Sequence, residues 1–273
     1  MLRPLVSSTC VLALTLLVAC DEKPSSQPAA PSATAAATPA ADAPKPELSA
    51  PPPAPTPAAE AAAPRPKKKL EECSKGPNVE FEQKEIEAEI RKKLPKPDGP
   101  ITIADLAKLR SLNLSQVKLA DLDPCVFSRM KSLKELFLGP GTYDDLSPIS
   151  VATQLESLRA SISQVKDLKP LEKLTLLDRL DLGRTQITDI KPLASLSKLS
   201  ELQLDDTAVE DVTPLEKLTL LTTLSLKRTK VKDVSALKNL KKLKFLYTGG
   251  SPLDADPMSV APVRANGTKV IAE

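Results

Sequence analysis

Leu174, Leu177, Leu180 and Leu182 recur 22 residues later as Leu196, Leu199, Leu202 and Leu204, and again as Leu218, Leu221, Leu224 and Leu226. The second half of the unit recurs with them. Thr185, Ile187, Asp189, Ile190, Pro192 and Leu193 become Thr207, Val209, Asp211, Val212, Pro214 and Leu215, then Thr229, Val231, Asp233, Val234, Ala236 and Leu237. Two earlier copies keep the spacing, from Met130 to Ile149 and from Ala152 to Leu171. A first copy, from Leu106 to Pro124, is two residues longer, and a partial copy from Leu240 to Leu253 brings the total to seven. Within a copy, L-x-x-L-x-L reads as a short strand with alternate residues on one face. One copy alone has nothing to bury that face against. Stacked about 4.8 Å apart, the copies join their strands into a parallel sheet and their leucines into one core. Aromatic residues make up 2% of the chain and Trp is absent, so that core is aliphatic.

The pattern resembles the leucine-rich repeat. Its short unit, with Ile-x-Asp-Ile-x-Pro-Leu in the second half, resembles the internalin-type repeat over residues 101–253. The resemblance implies an α/β repeat solenoid, right-handed, with a concave parallel sheet and short 3₁₀ or coil turns on the convex side. It also implies a protein or peptide partner on the concave face. There is one departure. The family usually has Asn after the strand, where its amide bonds neighbouring backbone; here Ser163, Thr185, Thr207, Thr229 and Ser251 stand there. A hydroxyl offers fewer donors and acceptors than an amide, so a weaker ladder is expected.

A column of acids runs through the repeats: Asp121, Asp145, Asp167, Asp189, Asp211 and Asp233. Each carboxylate is placed to accept backbone N–H bonds from the turn that follows. The other reading, a calcium ladder, needs Gly-rich loops that these repeats lack.

A solenoid needs its ends covered. Asn78 to Leu94 reads as an amphipathic helix capped by Asn78, with Ile86, Ile90 and Leu94 on one stripe and Pro95 beyond its end. This is the core of an N-terminal cap over 71–100. Residues 254–273 read as the C-terminal cap, with Asn266-Gly267 as a hairpin turn.

The amino terminus reads as an address. Arg3 precedes an apolar stretch from Leu5 to Ala19 that is too short to span a bilayer comfortably. It ends in Leu17-Val18-Ala19-Cys20, which resembles the lipobox of bacterial lipoproteins. That resemblance implies a signal peptide over 1–19, a lipidated Cys20 and a lipid-anchored place in the bacterial cell envelope. An ordinary secretory signal with an incidental Cys is the alternative. Residues 20–70 are mostly Pro and Ala, a composition that buries little and stays extended at ~3.1 Å per residue, reaching on the order of 100 Å. With Cys20 lipidated, Cys73 and Cys125 remain. In an oxidising compartment they are either a disulfide stapling cap to solenoid or two separate buried thiols.

The charge balance of +3 pulls the chain toward neither nucleic acid nor an acidic partner. The absence of His removes the commonest general base and zinc ligand, and no nucleophile elbow or phosphate loop is present. No enzymatic activity, cofactor or metal is therefore expected. Function falls to the outward-facing strand residues Arg159, Arg179, Asp181, Arg184, Glu201, Asp206 and Arg228, and to Phe137, Phe245 and Tyr247 as aromatic anchors. The last two alternatively pack under the C-terminal cap. Opposite signs meet between neighbouring strands (Arg179 with Glu201, and Asp206 with both Arg184 and Arg228), which argues against a polyanion groove.

Overall fold

The computed structural model describes residues 68–272. The expected signal peptide, Cys20 and residues 20–67 of the expected tether lie outside the described residues. Within these, one parallel sheet runs in chain order: β1 Ser111–Asn113, β2 Glu135–Phe137, β3 Ser157–Arg159, β4 Arg179–Asp181, β5 Glu201–Gln203, β6 Thr223–Ser225, β7 Phe245–Tyr247 and β8 Lys269–Ile271. Four helices accompany it: α1 Lys84–Lys93, α2 Ile103–Lys108, α3 Pro124–Phe127 and α4 Ala261–Arg264. The central leucine of each strand from Leu112 to Leu246 pairs with its counterpart one repeat on, and all of them are buried. The sheet does not close, and with the repeats winding right-handed it is a leucine-rich-repeat solenoid.

The convex side is made of 3₁₀ turns, Ser147–Ile149, Lys169–Leu171, Lys191–Ser195, Thr213–Leu215 and Ser235–Asn239. The aspartate column explains why each turn starts where it does. Asp145, Asp167, Asp189, Asp211 and Asp233 accept the backbone N–H two residues on, at 2.8, 2.9, 2.9, 2.8 and 2.7 Å. Each bond satisfies a donor that the turn leaves free. In the first copy the role falls to Asp123, which accepts from Cys125 N at 2.8 Å at the start of α3, rather than to the expected Asp121. The two extra residues of that copy explain the shift. Ser111 pairs 24 residues on with Glu135, yet Leu119 bridges to Gly141, so the insertion lies just after β1.

The hydroxyls after the strands do not form the expected ladder. Ser163, Thr185, Thr207 and Thr229 each donate to the carbonyl three residues earlier in their own repeat, at 3.0, 2.7, 2.7 and 2.8 Å. A side chain one bond shorter than Asn closes on its own turn. Contact between repeats at this level is carried by backbone, as in Arg184 N to Asp205 O at 2.7 Å and Asp206 N to Lys227 O at 2.8 Å.

Both ends depart in detail from expectation. Helix α1 begins at Lys84, not at Asn78, and its cap residue Gln83 makes no side-chain bond. Asn78 lies instead in a short antiparallel bridge opposite Thr102, with Val79 N to Ile101 O at 2.8 Å and Ile103 N to Pro77 O at 2.9 Å. Backbone pairing there wins over helix capping. Ile86 and Ile90 are buried from α1, and Val79, Phe81 and Leu94 pack beside them. Cys73 and Cys125 are bonded, 5.3 Å apart at Cα, tying the segment before α1 to α3. At the other end there is no hairpin. Helix α4 ends at Arg264, the turn after it passes through Gly267 at φ 84°, and the chain re-enters the sheet as β8, parallel to β7. The apolar residue Val263 is buried against the core from the helix.

Candidate protein-binding surface

Because side chains alternate along a strand, the two residues flanking each central leucine face outward. They form two columns down the sheet. One holds Ser111, Glu135, Ser157, Arg179, Glu201, Thr223, Phe245 and Lys269; the other holds Asn113, Phe137, Arg159, Asp181, Gln203, Ser225, Tyr247 and Ile271. Every concave-face candidate from the sequence is in these columns except Arg184, Asp206 and Arg228, which stand at the rim just past the strands.

The charges pair more selectively than strand register alone indicates. Arg159 Nε donates to Asp181 Oδ2 at 3.0 Å across one repeat. Arg179 lies opposite Glu201 in register, but its ion pair is with its chain neighbour Asp178, at 3.6 Å. At the rim Asp206 sits between two arginines. Arg228 grips it with Nε on Oδ1 and with Nη2 on Oδ2 at 2.6 Å, while Arg184 Nε approaches Oδ2 at 3.5 Å. The hydrogen bond from Arg228 holds the Asp206 carboxyl below its usual range. The middle of the face is thus internally compensated.

These rim residues share a backbone feature that the sequence hides. Ile162, Arg184, Asp206 and Arg228 have φ of 57°, 55°, 56° and 52°, and Gly250 continues the column at 72°. One left-handed residue turns the chain off each strand from β3 to β7. Glycine meets that need without strain, and only at Gly250 does residue type signal it. Ile162 is the outlier, a β-branched residue in this conformation with 46% of its surface exposed.

The aromatic candidates separate. Phe137 and Tyr247 are half-buried, and Phe245 is 39% exposed. The C-terminal cap does not cover Phe245. Its neighbour on β8 is Lys269, and that of Tyr247 is Ile271. Lys227 reaches across from the preceding repeat to lie 5.1 Å from the centroid of the Tyr247 ring. That distance is within cation–π range.

A recess of about 300 Å³ lies away from the sheet, between cap and first repeats, bordered by Lys68, Phe81, Asp123 and Pro148. Lys68 Nζ donates to Glu82 at 2.8 Å and lies 3.8 Å from Asp123 Oδ2. Burial pushes the Asp123 carboxyl up. Its cation is already supplied by the chain itself.

A surface of this kind, outward strand residues on an open parallel sheet of 22-residue repeats, defines an internalin-like leucine-rich-repeat protein. Solved structures agree. An internalin (inlF) from Listeria monocytogenes is 28% identical with a TM-score of 0.57, over 61% of this chain and 49% of its own. An internalin C2 (inlC2) from the same species is 25% identical with a TM-score of 0.51, over 62% of this chain and 87% of its own. This chain therefore spans about half the length of the first of them. No protein-family model matches the chain, and a search of curated proteins finds no match.

Proposed function

We propose that this protein is a membrane-tethered module for protein–protein interaction at the bacterial cell envelope, and not an enzyme. Cys20 is its lipid anchor, the Pro/Ala-rich stretch its spacer, and the concave sheet its binding face. The observation that carries the binding role is Phe245, a large apolar side chain left exposed on that face although the C-terminal cap lies beside it. Leucine-rich-repeat neighbours of the internalin kind support a protein as the partner. The anchor rests on the Leu-Val-Ala-Cys run ending at Cys20. Multiple acyl chains on one residue give stable attachment where a single chain does not.

A second reading, a structural envelope lipoprotein with no specific partner, is favoured by one observation. Asp206 is neutralised by its own neighbours Arg184 and Arg228, which is what a self-contained, soluble surface requires. Capture of partners by the full chain from native envelope separates the readings. A concave-face binder is expected to lose its captured protein when Phe245 and Tyr247 are replaced by Ala. If capture is unchanged in that variant, in one with Arg184 and Asp206 reversed, and in Phe137→Ala and Arg159→Ala/Asp181→Ala, the spacer reading stands. Cys20→Ser, expressed in the native host, releases the chain from the membrane fraction if Cys20 is the anchor.

A further inference from the structure

The binding face is not electrically uniform along the solenoid. The repeat that follows β5 carries Asp205, Asp206, Glu210, Asp211 and Glu216 against Lys217 alone. In the next one, from 227 to 244, Asp233 is the one acid amid lysines and an arginine. Where the two meet, the excess is compensated: Arg228 by Asp206, and Lys230 by Glu210 at 3.7 Å. Beyond that seam it is not. Lys244 and Lys269 are exposed, and among the described residues neither has a carboxylate within 4.0 Å. Two acids in the neighbouring turns are already engaged, and Glu201, the acid on Phe245's own column, stands two strands away. Asp205 accepts from Ser225 Oγ and Lys227 N, and Asp254 accepts from Thr248 Oγ1 at 2.6 Å and Gly250 N at 2.7 Å.

The exposed aromatic side chain stands inside this basic field. Register places Phe245 beside Lys269 and Tyr247 beside Ile271, Lys244 directly precedes Phe245, and Lys227 lies against the Tyr247 ring. We infer that this end of the concave sheet, the faces of β6, β7 and β8, is the docking site for an acidic protein segment with an aromatic or branched apolar side chain between its carboxylates. The inference rests on the concave-face reading and sharpens it. The apolar side chain packs on Phe245, and the flanking carboxylates meet Lys244 and Lys269. An aromatic pair gains more than its buried area alone, and exposed ion pairs each add little, so the combination rather than charge alone is what selects. An extended segment follows a concave sheet, whereas a planar bilayer meets only its rims.

The test uses the full chain with a random glutamate–tyrosine copolymer as probe, against polyglutamate of equal length and phosphatidylglycerol vesicles. The copolymer is expected to bind at least tenfold more tightly than polyglutamate. Phe245→Ala and the double reversal Lys244→Glu/Lys269→Glu should each weaken it at least tenfold, with unchanged melting temperature showing that the variants fold. Phe137→Ala, at the other end of the face, should change it less than twofold. Equal binding of polyglutamate, binding to vesicles alone, or no binding to the copolymer overturns the inference. If Phe137→Ala or Arg159→Ala/Asp181→Ala abolishes partner capture while Phe245→Ala is silent, this placement fails and the concave-face reading survives. If no substitution on the concave sheet affects capture, both fail.

Discussion

Ile162 illustrates how a single residue is used against its own preference. Its left-handed φ costs an L-residue with a branched side chain roughly 1–2 kcal/mol, and its exposed side chain recovers little of that by packing. Ile162→Gly should therefore stabilise the fold by about 1 kcal/mol in chemical denaturation, despite the greater freedom that glycine gives the unfolded chain. Asp206 shows a residue in the same conformation held by its partners. Its carboxyl titrates below the ordinary value of 3.8, chiefly through the hydrogen bond from Arg228. A depressed folded-state pKa contributes stability that is present above 3.8 and is lost as pH falls through the lower value. Asp206→Asn should thus lower the melting temperature near neutral pH, and its gap from the native chain should narrow as pH falls below 3.8. Tyr143 is the opposite case. It stands where other copies have Ile or Val and is buried, and burial pushes its hydroxyl up to about 12. The hydroxyl makes no direct hydrogen bond among the described residues. Tyr143→Phe should leave stability unchanged or raise it, whereas Tyr143→Ala should cost about 3–5 kcal/mol, as core truncations of aromatic residues do.

At the scale of elements, the turn after β2 depends on the absence of a side chain. A Cβ on Gly141 would stand 1.7 Å from Leu119 O, where the second repeat's chain runs against the longer first one. Gly141→Ala forces backbone apart, and the expected result is loss of cooperative unfolding in the first two repeats, read by hydrogen exchange at Thr142 N, which bonds Leu119 O at 2.9 Å. The disulfide links residues 52 apart in sequence. Closing a loop of that size contributes about 4 kcal/mol in the chain-entropy account, so Cys73→Ser/Cys125→Ser should lower stability by that order and expose α1 to proteolysis first. Helix α2 needs no such tie. Thr102 and Asp105 form a reciprocal capping box, with Asp105 N to Thr102 Oγ1 at 3.2 Å and Thr102 N to Asp105 Oδ2 at 3.0 Å. The Thr-x-x-Asp spacing that announces it was available in the sequence but lay hidden behind the stronger repeat signal. Helix α1 was legible in its apolar stripe but not in its start, because the bridge at Asn78 pairs it with Thr102, outside any local window.

At the scale of the whole molecule, each repeat touches mainly its neighbours, so stability is close to a sum of repeat and interface contributions. Deleting residues 163–184 removes one unit and joins Ile162 to Thr185. The strand leucines keep their spacing, and Asp206 keeps Arg228. The shortened chain should fold with the same circular-dichroism shape and a lower melting temperature. The same one-dimensional logic lets charge differ between repeats without disturbing the core. Acidic and basic repeats abut here, with Arg228 and Lys230 across the seam. The basic surplus is left at the end of the sheet where Phe245 is exposed.

The 22-residue spacing by itself determined the fold class, the strand register and the buried leucines. Those depend on period alone, and a side chain that recurs at fixed intervals in a stacked unit meets its own copy. The aspartate turns were readable for the same reason, being local. Three things were decided only in three dimensions. The hydroxyls after the strands bond within their own repeats because reach, not position, selects the acceptor. The left-handed column at the rim is occupied by Ile, Arg and Asp as well as Gly, because repeat-to-repeat backbone bonds impose the conformation on whatever residue stands there. Phe245 lies exposed beside Lys269 because the last segment enters the sheet in parallel as β8. No local pattern in that segment distinguishes this from a hairpin; the open sheet edge and the uncovered core beneath it do.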